Sequence, residues 1–539
     1  MKSGFRIGFL AIVVIAGALR FWALDAGLPH LMTRPDEEVL LLKTGLPAQG
    51  SLDLEYDVRH PGVPSAYIFL LWGFGELTLP ILQAFGGAPP GDYVWVLDNF
   101  PARILILERI LSALFGVATV AAVMLFVRRE WDQIPALGAG LLLATCFLHV
   151  RESHSAKPDV ALAFWALVAL GLLAPLARRN TPGRAASAGA AIGLGLAMKP
   201  PAVLLFLPAW VATILGSSNP GWRRLVSAPL ILLGAVATGV FVITSPDVLF
   251  NPHTREQLIN IVYLVFPDLG PEKATSVAVT PIEDLGRPLL DGYLYYFDFV
   301  LRYGVGWLMM IATPVALVWG FVSRKPLAIL SSIFVVLGFA VFGASPALLA
   351  RYLVPLLPAI IILIAGAVWT ATQGLASGWR APVFGIAIAA LAAQPLAASV
   401  AFDRILSRTD TRLQTTQWLQ SNLAQNSTVG IAGTVFWGWG EPWMPPGIAF
   451  VRPELNGKAI EDAGIDILVT HDHPLFSSTL DREKFSALEP SLKLVAEFDP
   501  FLGDASDAQF DEQDAYYVPL AGLDAVERPG PRIRIYELR

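Results

Sequence analysis

The apolar stretches of this sequence are the length of a bilayer. A helix needs about 20 predominantly apolar residues to cross the hydrocarbon core. Phe5–Leu24 is the first such stretch, and others lie near residues 104–127, 134–149, 160–177, 185–199, 201–216, 225–245, 304–322, 327–344, 353–370 and 381–400. They predict about eleven membrane-spanning helices. Lys2 and Arg6 give the first stretch the look of a signal peptide, but no clean small-residue cleavage site follows it, so it reads as a retained span. The apolar stretch Val63–Phe85 is interrupted by glycines and Pro80 and reads as re-entrant or interfacial helices. Only 15% of the 539 residues are charged, against about 25% in soluble proteins. Lipid is therefore the main solvent. Cys146 is the only cysteine, which excludes a disulfide scaffold. A net charge of −6 argues against a nucleic-acid partner.

The charge is unevenly distributed. Residues 401–539 hold 12 Lys+Arg against 21 Asp+Glu, whereas the first 400 hold 26 against 23. The chain thus divides into a membrane domain, residues 1–400 with long outer loops at 25–100 and 246–303, and an acidic external domain, residues 401–539. Basic loops favour the cytoplasmic side. Lys2 and Arg6 are followed, at alternate loops, by Arg128-Arg129, Arg178-Arg179-Arg184, Arg223-Arg224, Arg324-Lys325 and Arg380. An odd number of spans then places the C-terminal domain on the opposite, periplasmic face of a bacterial inner membrane.

The sparse charges on that outer face are the informative ones, because ionisable groups at membrane depth are costly. Asp36, Glu37 and Glu38 follow the first span, in LPHLMTRPDEEVLLLKTG. The next outer loop, HVRESHSAKPDVALAFWAL, carries Arg151, His154, Lys157 and Asp159. Lys199 lies in the turn AMKPPAV, and Arg351-Tyr352 in ASPALLARYLVPLLP. Arg34, Arg59 and His60 complete the set. A carboxylate at the surface can take a proton from a hydroxyl nucleophile, and nearby Arg and Lys can hold a phosphate. Aromatics such as Trp22, Tyr56, Tyr67, Trp72, Tyr93 and Trp95 suit the interface or a sugar ring. A lipid-phosphate-linked substrate meets all of these features. Each residue alone has a plainer reading. The DEE run is also an ordinary solvated charge run. Asp159 is also placed to cap a helix beginning at Val160, and Lys199 to snorkel at a helix end. Arg351 lies on the wrong side to be a topology residue. Glu108 and Arg109, inside a span, read as a partnered interior pair.

With these motifs the chain resembles the GT-C superfamily of polytopic glycosyltransferases. The closest likeness is to family-39-like members related to protein O-mannosyltransferases and to the aminoarabinose transferases that modify lipid A. The resemblance rests on Arg34-Pro35-Asp36-Glu37-Glu38 after the first helix, Arg59-His60-Pro61-Gly62, and the basic-ended ARILILERILSALFGVATVAAVMLFVRR. It rests further on Lys157-Pro158-Asp159, Met198-Lys199-Pro200-Pro201, Arg351-Tyr352 with Pro355 and Pro358, and the terminal GPRIRIYELR. It implies an α-helical polytopic membrane protein with a C-terminal periplasmic α/β domain, transferring a sugar with inversion from a polyprenyl-phosphate donor to a lipid, polysaccharide or protein acceptor. Asp36 or Glu37 would be the base and Asp159 would assist it or bind sugar or acceptor. Arg351 and Lys199, with Arg151 or Lys157, would bind phosphate. Arg34, Arg59, His60, His154 and Tyr352 complete the implied binding set. His60-Pro61 replaces the family's more usual double proline.

No tight spacing such as His-x-x-x-His fixes a metal site. Histidines and carboxylates on the outer face nonetheless offer ligands for a divalent ion. We expect no obligatory metal or cofactor. In the C-terminal domain a helix is expected over Asp403–Leu423. Strands are expected at Thr428–Ala432, Ile465–Val469, Leu492–Phe498, Tyr517–Leu520 and Ile533–Glu537. The competing reading is a transporter or flippase of a lipid-linked or anionic substrate. Against it stand the absence of an evident inverted repeat and the clustering of charge at one face, not the midplane.

Overall fold

In the computed structural model the structure describes residues 3–55, 65–265, 290–345, 347–433 and 438–538. They form two compact units, one of Met1–Phe21 with Val39–Ser399 and one of Trp22–Glu38 with Val400–Arg539. The short acidic segment after the first helix thus packs with the C-terminal unit.

The first unit is helical. It opens with α1 (Ser3–Phe21), α2 (Glu37–Ala48, whose first two residues belong to the other unit), α3 (Ser65–Ala84), α4 (Tyr93–Asn99) and α5 (Pro101–Glu130). Then come α6 (Gln133–Ala144), α7 (Phe147–Ser153), α8 (Pro158–Arg178), α9 (Pro182–Met198), α10 (Phe206–Leu215) and α11 (Ala228–Thr244). The short α12 (Asp247–Phe250) and α13 (Pro252–Val265) follow, then α14 (Leu290–Leu294), a π-helical segment Tyr295–Leu301 and α15 (Arg302–Gly304). The unit ends with α16 (Trp307–Val322), α17 (Pro326–Gly343), α18 (Leu357–Ala371) and α19 (Ser377–Leu406, whose residues from Val400 on belong to the other unit).

Among the described residues, eight helices are long and apolar enough to cross a membrane, or nine if α6 and α7, bent by 58° at their junction, are one broken span. Two shorter apolar helices, Pro200–Leu215 and Trp307–Val322, add to these. Each of the eleven expected stretches is helical, α9 with 17 residues being among the shorter. The expected interruption at Val63–Phe85 is different. α3 is one 20-residue helix that continues through Pro80. Its Gly75 is a packing site: a Cβ there would lie 2.6 Å from the Tyr93 ring.

α9 packs along α11 through two glycines. A Cβ at Gly189 would lie 2.4 Å from the Leu233 carbonyl oxygen, and one at Gly193 would lie 2.5 Å from that of Ala237. Small residues four apart let two backbones approach in lipid, where packing must replace the hydrophobic drive. Gly193→Leu should therefore cost about 1–3 kcal/mol, the usual penalty of overpacking. It should lower the melting temperature of the detergent-purified protein, and an unchanged melt would refute this contact.

The second unit is a three-layer α/β structure. Its five-stranded sheet has the order β2-β1-β3-β5-β4, with β1 Thr428–Ala432, β2 Ala449–Val451, β3 Ile467–Asp472, β4 Leu492–Phe498 and β5 Arg532–Leu538. β1 is parallel to β2 and β3, while β5 is antiparallel to β3 and β4. Side chains alternate across the strands. Val429, Ile431, Ile467, Val469, Ile533 and Ile535 meet Leu419 of α20 (Thr411–Asn422) on one face. Leu468 and Tyr536 on the other face meet Ile460 of α21 (Gly457–Asp462) and Phe485 and Leu488 of α22 (Arg482–Leu488). The expected helix over Asp403–Leu423 is broken at residues 407–410 into the end of α19 and α20. The expected strand Tyr517–Leu520 is irregular, for Pro519 has no amide to give a ladder.

Three histidines are buried in this unit. His30 Nε2–H donates to Glu441 O at 2.9 Å, its Nδ1 accepts from Met32 N, and His473 Nδ1 accepts from Leu475 N. Burial pushes His30 and His471 down to about 4 and His473 to about 3. Below the ordinary value of 6.5 the unfolded chain takes up protons that the folded unit refuses. Their stabilisation is complete above about pH 6.5 and is lost as pH falls toward those values, at about 1.4 kcal/mol per histidine per pH unit. The melting temperature should fall between pH 7 and 5, less steeply in His471→Gln. A profile identical in wild type and variant would contradict this.

Candidate functional site

The break between α6 and α7 leaves carbonyls without helical partners, and such groups must be satisfied at membrane depth. Arg20, buried near the end of α1, does this. Its Nη1 donates to Ala16 O and Ala144 O, at 3.1 and 3.0 Å, and its Nη2 to Leu143 O and His149 Nδ1, at 3.1 and 3.0 Å. Ser399 Oγ donates to Thr145 O at 3.2 Å from another helix. The charge inside the first span was visible in the sequence, and its partners were not.

α7 so held carries Arg151, which is fully buried and ion-paired with Glu152. His154 caps the end of α7, its Nδ1 2.9 Å from the Val150 oxygen. Lys157 is the N-cap residue of α8 and is buried. Asp159 lies in the first turn of α8, where a negative charge complements the helix dipole. It does not cap the helix. Its Oδ1 accepts a hydrogen bond from Lys199 Nζ at 2.6 Å. Lys199 ends α9, just before the 3-10 segment Pro200–Leu205, and its side chain is 21% exposed where that of Asp159 is 3%. The ammonium also lies 5.1 Å from the centre of the Tyr352 ring, within cation–π range. Tyr352 and Arg351, both half-buried, sit on the 3-10 segment Ala350–Leu356. Three segments thus bring Asp159, Lys199 and Tyr352 together with Arg351 next in the chain. Glu108 and Arg109 are buried in α5.

Arg34, Asp36 and Glu37 belong to the second unit. Arg34 is buried and paired to Asp514, Nη1 to Oδ2 at 2.5 Å, and its guanidinium lies 4.1 Å from the Tyr516 ring centre. Asp36 is half-buried with φ 72°, and Glu37 is fully buried. Glu38 accepts from Trp439 Nε1 at 3.0 Å. The implied roles of Arg59 and His60 fall outside the described residues.

Among the described residues, no group of three or more His, Cys, Asp or Glu side chains is placed to hold a metal ion. Glu55 and His253 come together, Oε1 to Nδ1 at 2.9 Å. Asn251 Nδ2 donates to Asp53 and Glu55, tying the 51–55 loop to the α12–α13 junction.

The helical unit and the α/β C-terminal unit agree with the fold class expected from the sequence. Residues 107–250 match the family model described as dolichyl-phosphate-mannose-protein mannosyltransferase. No curated protein sequence matches the chain. Among solved structures, ArnT from Cupriavidus metallidurans bound to undecaprenyl phosphate is similar at 15% identity and TM-score 0.51, over 99% of this chain and 98% of that one. An oligosaccharyltransferase from Archaeoglobus fulgidus in complex with Zn and sulfate is similar at 12% identity and TM-score 0.54, over 98% and 88%. The archaeal oligosaccharyltransferase AglB from Archaeoglobus fulgidus, with an inhibitory peptide and a dolichol-phosphate, is similar at 12% identity and TM-score 0.50, over 100% and 88%. The structural likenesses show a fold shared with these membrane proteins, and the family match covers about a quarter of the chain.

Proposed function

We propose that the protein transfers a sugar, with inversion, from a polyprenyl-phosphate donor to a hydroxyl of an envelope lipid, glycan or protein. The observation that carries this reading is the Asp159–Lys199–Tyr352 cluster with Arg351 beside it. The acceptor oxygen attacks the anomeric carbon and its proton passes to Asp36. The bond from that carbon to the phosphate oxygen breaks, and the electron pair leaves with polyprenyl phosphate. The donor diester carries one negative charge and the released monoester up to two. Lys199 and Arg351 meet that growing charge, and positioned cations act most strongly on charge that develops in the transition state. Asp159 orients the Lys199 ammonium. Asp36 is favoured over Glu37 as base because it keeps partial access where Glu37 is fully buried.

The basic loops support a cytoplasmic N-terminus and a periplasmic C-terminal domain in a bacterial inner membrane, provided α3 does not cross. If α3 crossed, Arg128-Arg129 would lie on the side opposite Lys2 and Arg6. The test is reconstitution of the full chain in nanodiscs with a polyprenyl-phosphate sugar and envelope acceptors. Acceptor-dependent release of polyprenyl phosphate is expected. Directional uptake in proteoliposomes without covalent transfer would replace this reading with a transporter. Mass spectrometry of envelope glycans in a deletion strain should show a missing sugar mass on the acceptor.

A further inference from the structure

Asp36 sits in a backbone conformation that its side chain does not favour. The Arg34 carbonyl accepts from Glu37 N at 3.4 Å, with Pro35 second and Asp36 third in the turn, Asp36 having φ 72°. Proline second and positive φ third is the pattern of a type II turn, whose third place suits glycine or asparagine. A non-glycine residue persists there only where its surroundings over-determine it. In this unit the surroundings do so from both sides. Before the turn, Arg34 pairs with Asp514 and lies against the Tyr516 ring. After it, Glu38 Oε1 accepts from the Trp439 indole N–H. Trp439 is itself fixed, since its carbonyl accepts from Arg412 Nη1 at 2.5 Å. The same Arg412 nitrogen donates to Met32 O at 3.3 Å, and the guanidinium is paired to Asp410, Nη2 to Oδ2 at 2.6 Å. One buried arginine therefore ties the Trp439 loop to the segment that leads into the turn.

We infer that Trp439 and Asp514 are positioning residues that hold the Asp36 carboxylate in place, so that the C-terminal unit is part of the catalytic apparatus. The inference rests on the proposed role of Asp36 as base. Neither residue carried a local sequence signal, for Trp439 lies 401 residues from Glu38 and Asp514 480 from Arg34. Both ties are charge-assisted hydrogen bonds, the stronger kind. Trp439→Phe keeps an aromatic ring, though a smaller one, and removes the donor. Asp514→Asn keeps the shape and removes the charge.

The test uses the full chain in nanodiscs and two readouts. Amide exchange over residues 33–38 should quicken roughly tenfold or more in each variant, as expected on losing a charge-assisted bond, while the β1, β3 and β5 amides stay protected. In donor kinetics kcat should fall roughly tenfold to a hundredfold, as misplacement of a reacting group does, with donor KM within about twofold. Unchanged exchange at 33–38 in both variants would overturn the clamp. So would equal loss of protection across the whole sheet, which marks a merely structural role. Faster exchange at 33–38 with full turnover, together with an active Asp36→Asn enzyme, would refute Asp36 as base and leave the clamp standing.

Discussion

Asp36→Asn should lower sugar transfer by about 10²- to 10⁴-fold, the usual contribution of a positioned general base. The enzyme should remain folded, with its affinity for polyprenyl phosphate intact. Asparagine is the right replacement because it tolerates the left-handed region as well as aspartate does. The φ of 72° at Asp36 is therefore kept, and only the proton acceptor is lost. A second variant tests whether the strain belongs to function. Asp36→Gly removes the side chain and suits the turn better than any other residue. It should be as inactive as Asp36→Asn, yet melt no lower than wild type. Inactivity with a higher melting temperature would show a chain that keeps a carboxylate where backbone preference asks for glycine. Full transfer by Asp36→Asn would sink the assignment, and Glu37 would then be the group to change.

What the sequence displayed and what it concealed divide along a physical line. Membrane helices were legible because a span is a local property, about twenty apolar residues in a row. The strands β1 and β4 were legible because each pairs a β-rich run with flanking breakers. The continuity of α3 was missed because Gly75 and Pro80 look like punctuation, whereas Gly75 makes room for the Tyr93 ring and the helix runs on through Pro80. Tyr517–Leu520 has strand composition, but Pro519 and a buried aromatic environment settle it as irregular chain. Among site residues, Asp159 and Lys199 each stood out as rare charges, but their 2.6 Å bond across 40 residues is a tertiary fact. Arg34 shows the converse. Its charge drew attention as a member of the binding set, and the structure shows that charge paired to Asp514. A list of exposed-face charges gives candidates; burial and partner decide which cations already answer to a carboxylate.

The Asp159–Lys199 pair allows the second large prediction, since stability and catalysis respond to it differently. Asp159 is almost fully buried and Lys199 is not. Lys199→Met leaves a buried carboxylate without its cation, and breaking such a pair from one side costs about 3–5 kcal/mol. Its melting temperature should fall sharply. Adding Asp159→Asn removes the orphaned charge, so the double variant should recover most of that loss, a coupling that residues in contact show and distant ones do not. Transfer should behave otherwise. If Lys199 meets the charge that develops on the phosphate, the double variant stays inactive despite its recovered fold, and kcat falls more than donor binding weakens. Lys199→Arg should retain fold and part of the activity, because the cation remains while its hydrogen-bond geometry changes. The measurement is a thermal melt and a donor titration on the same four proteins. Activity restored along with stability in the double variant would mean that the pair is structural, and the phosphate would then fall to Arg351. Recovery of the melt without recovery of transfer is the expected result, because charge neutrality satisfies the fold, whereas a leaving phosphate requires a cation.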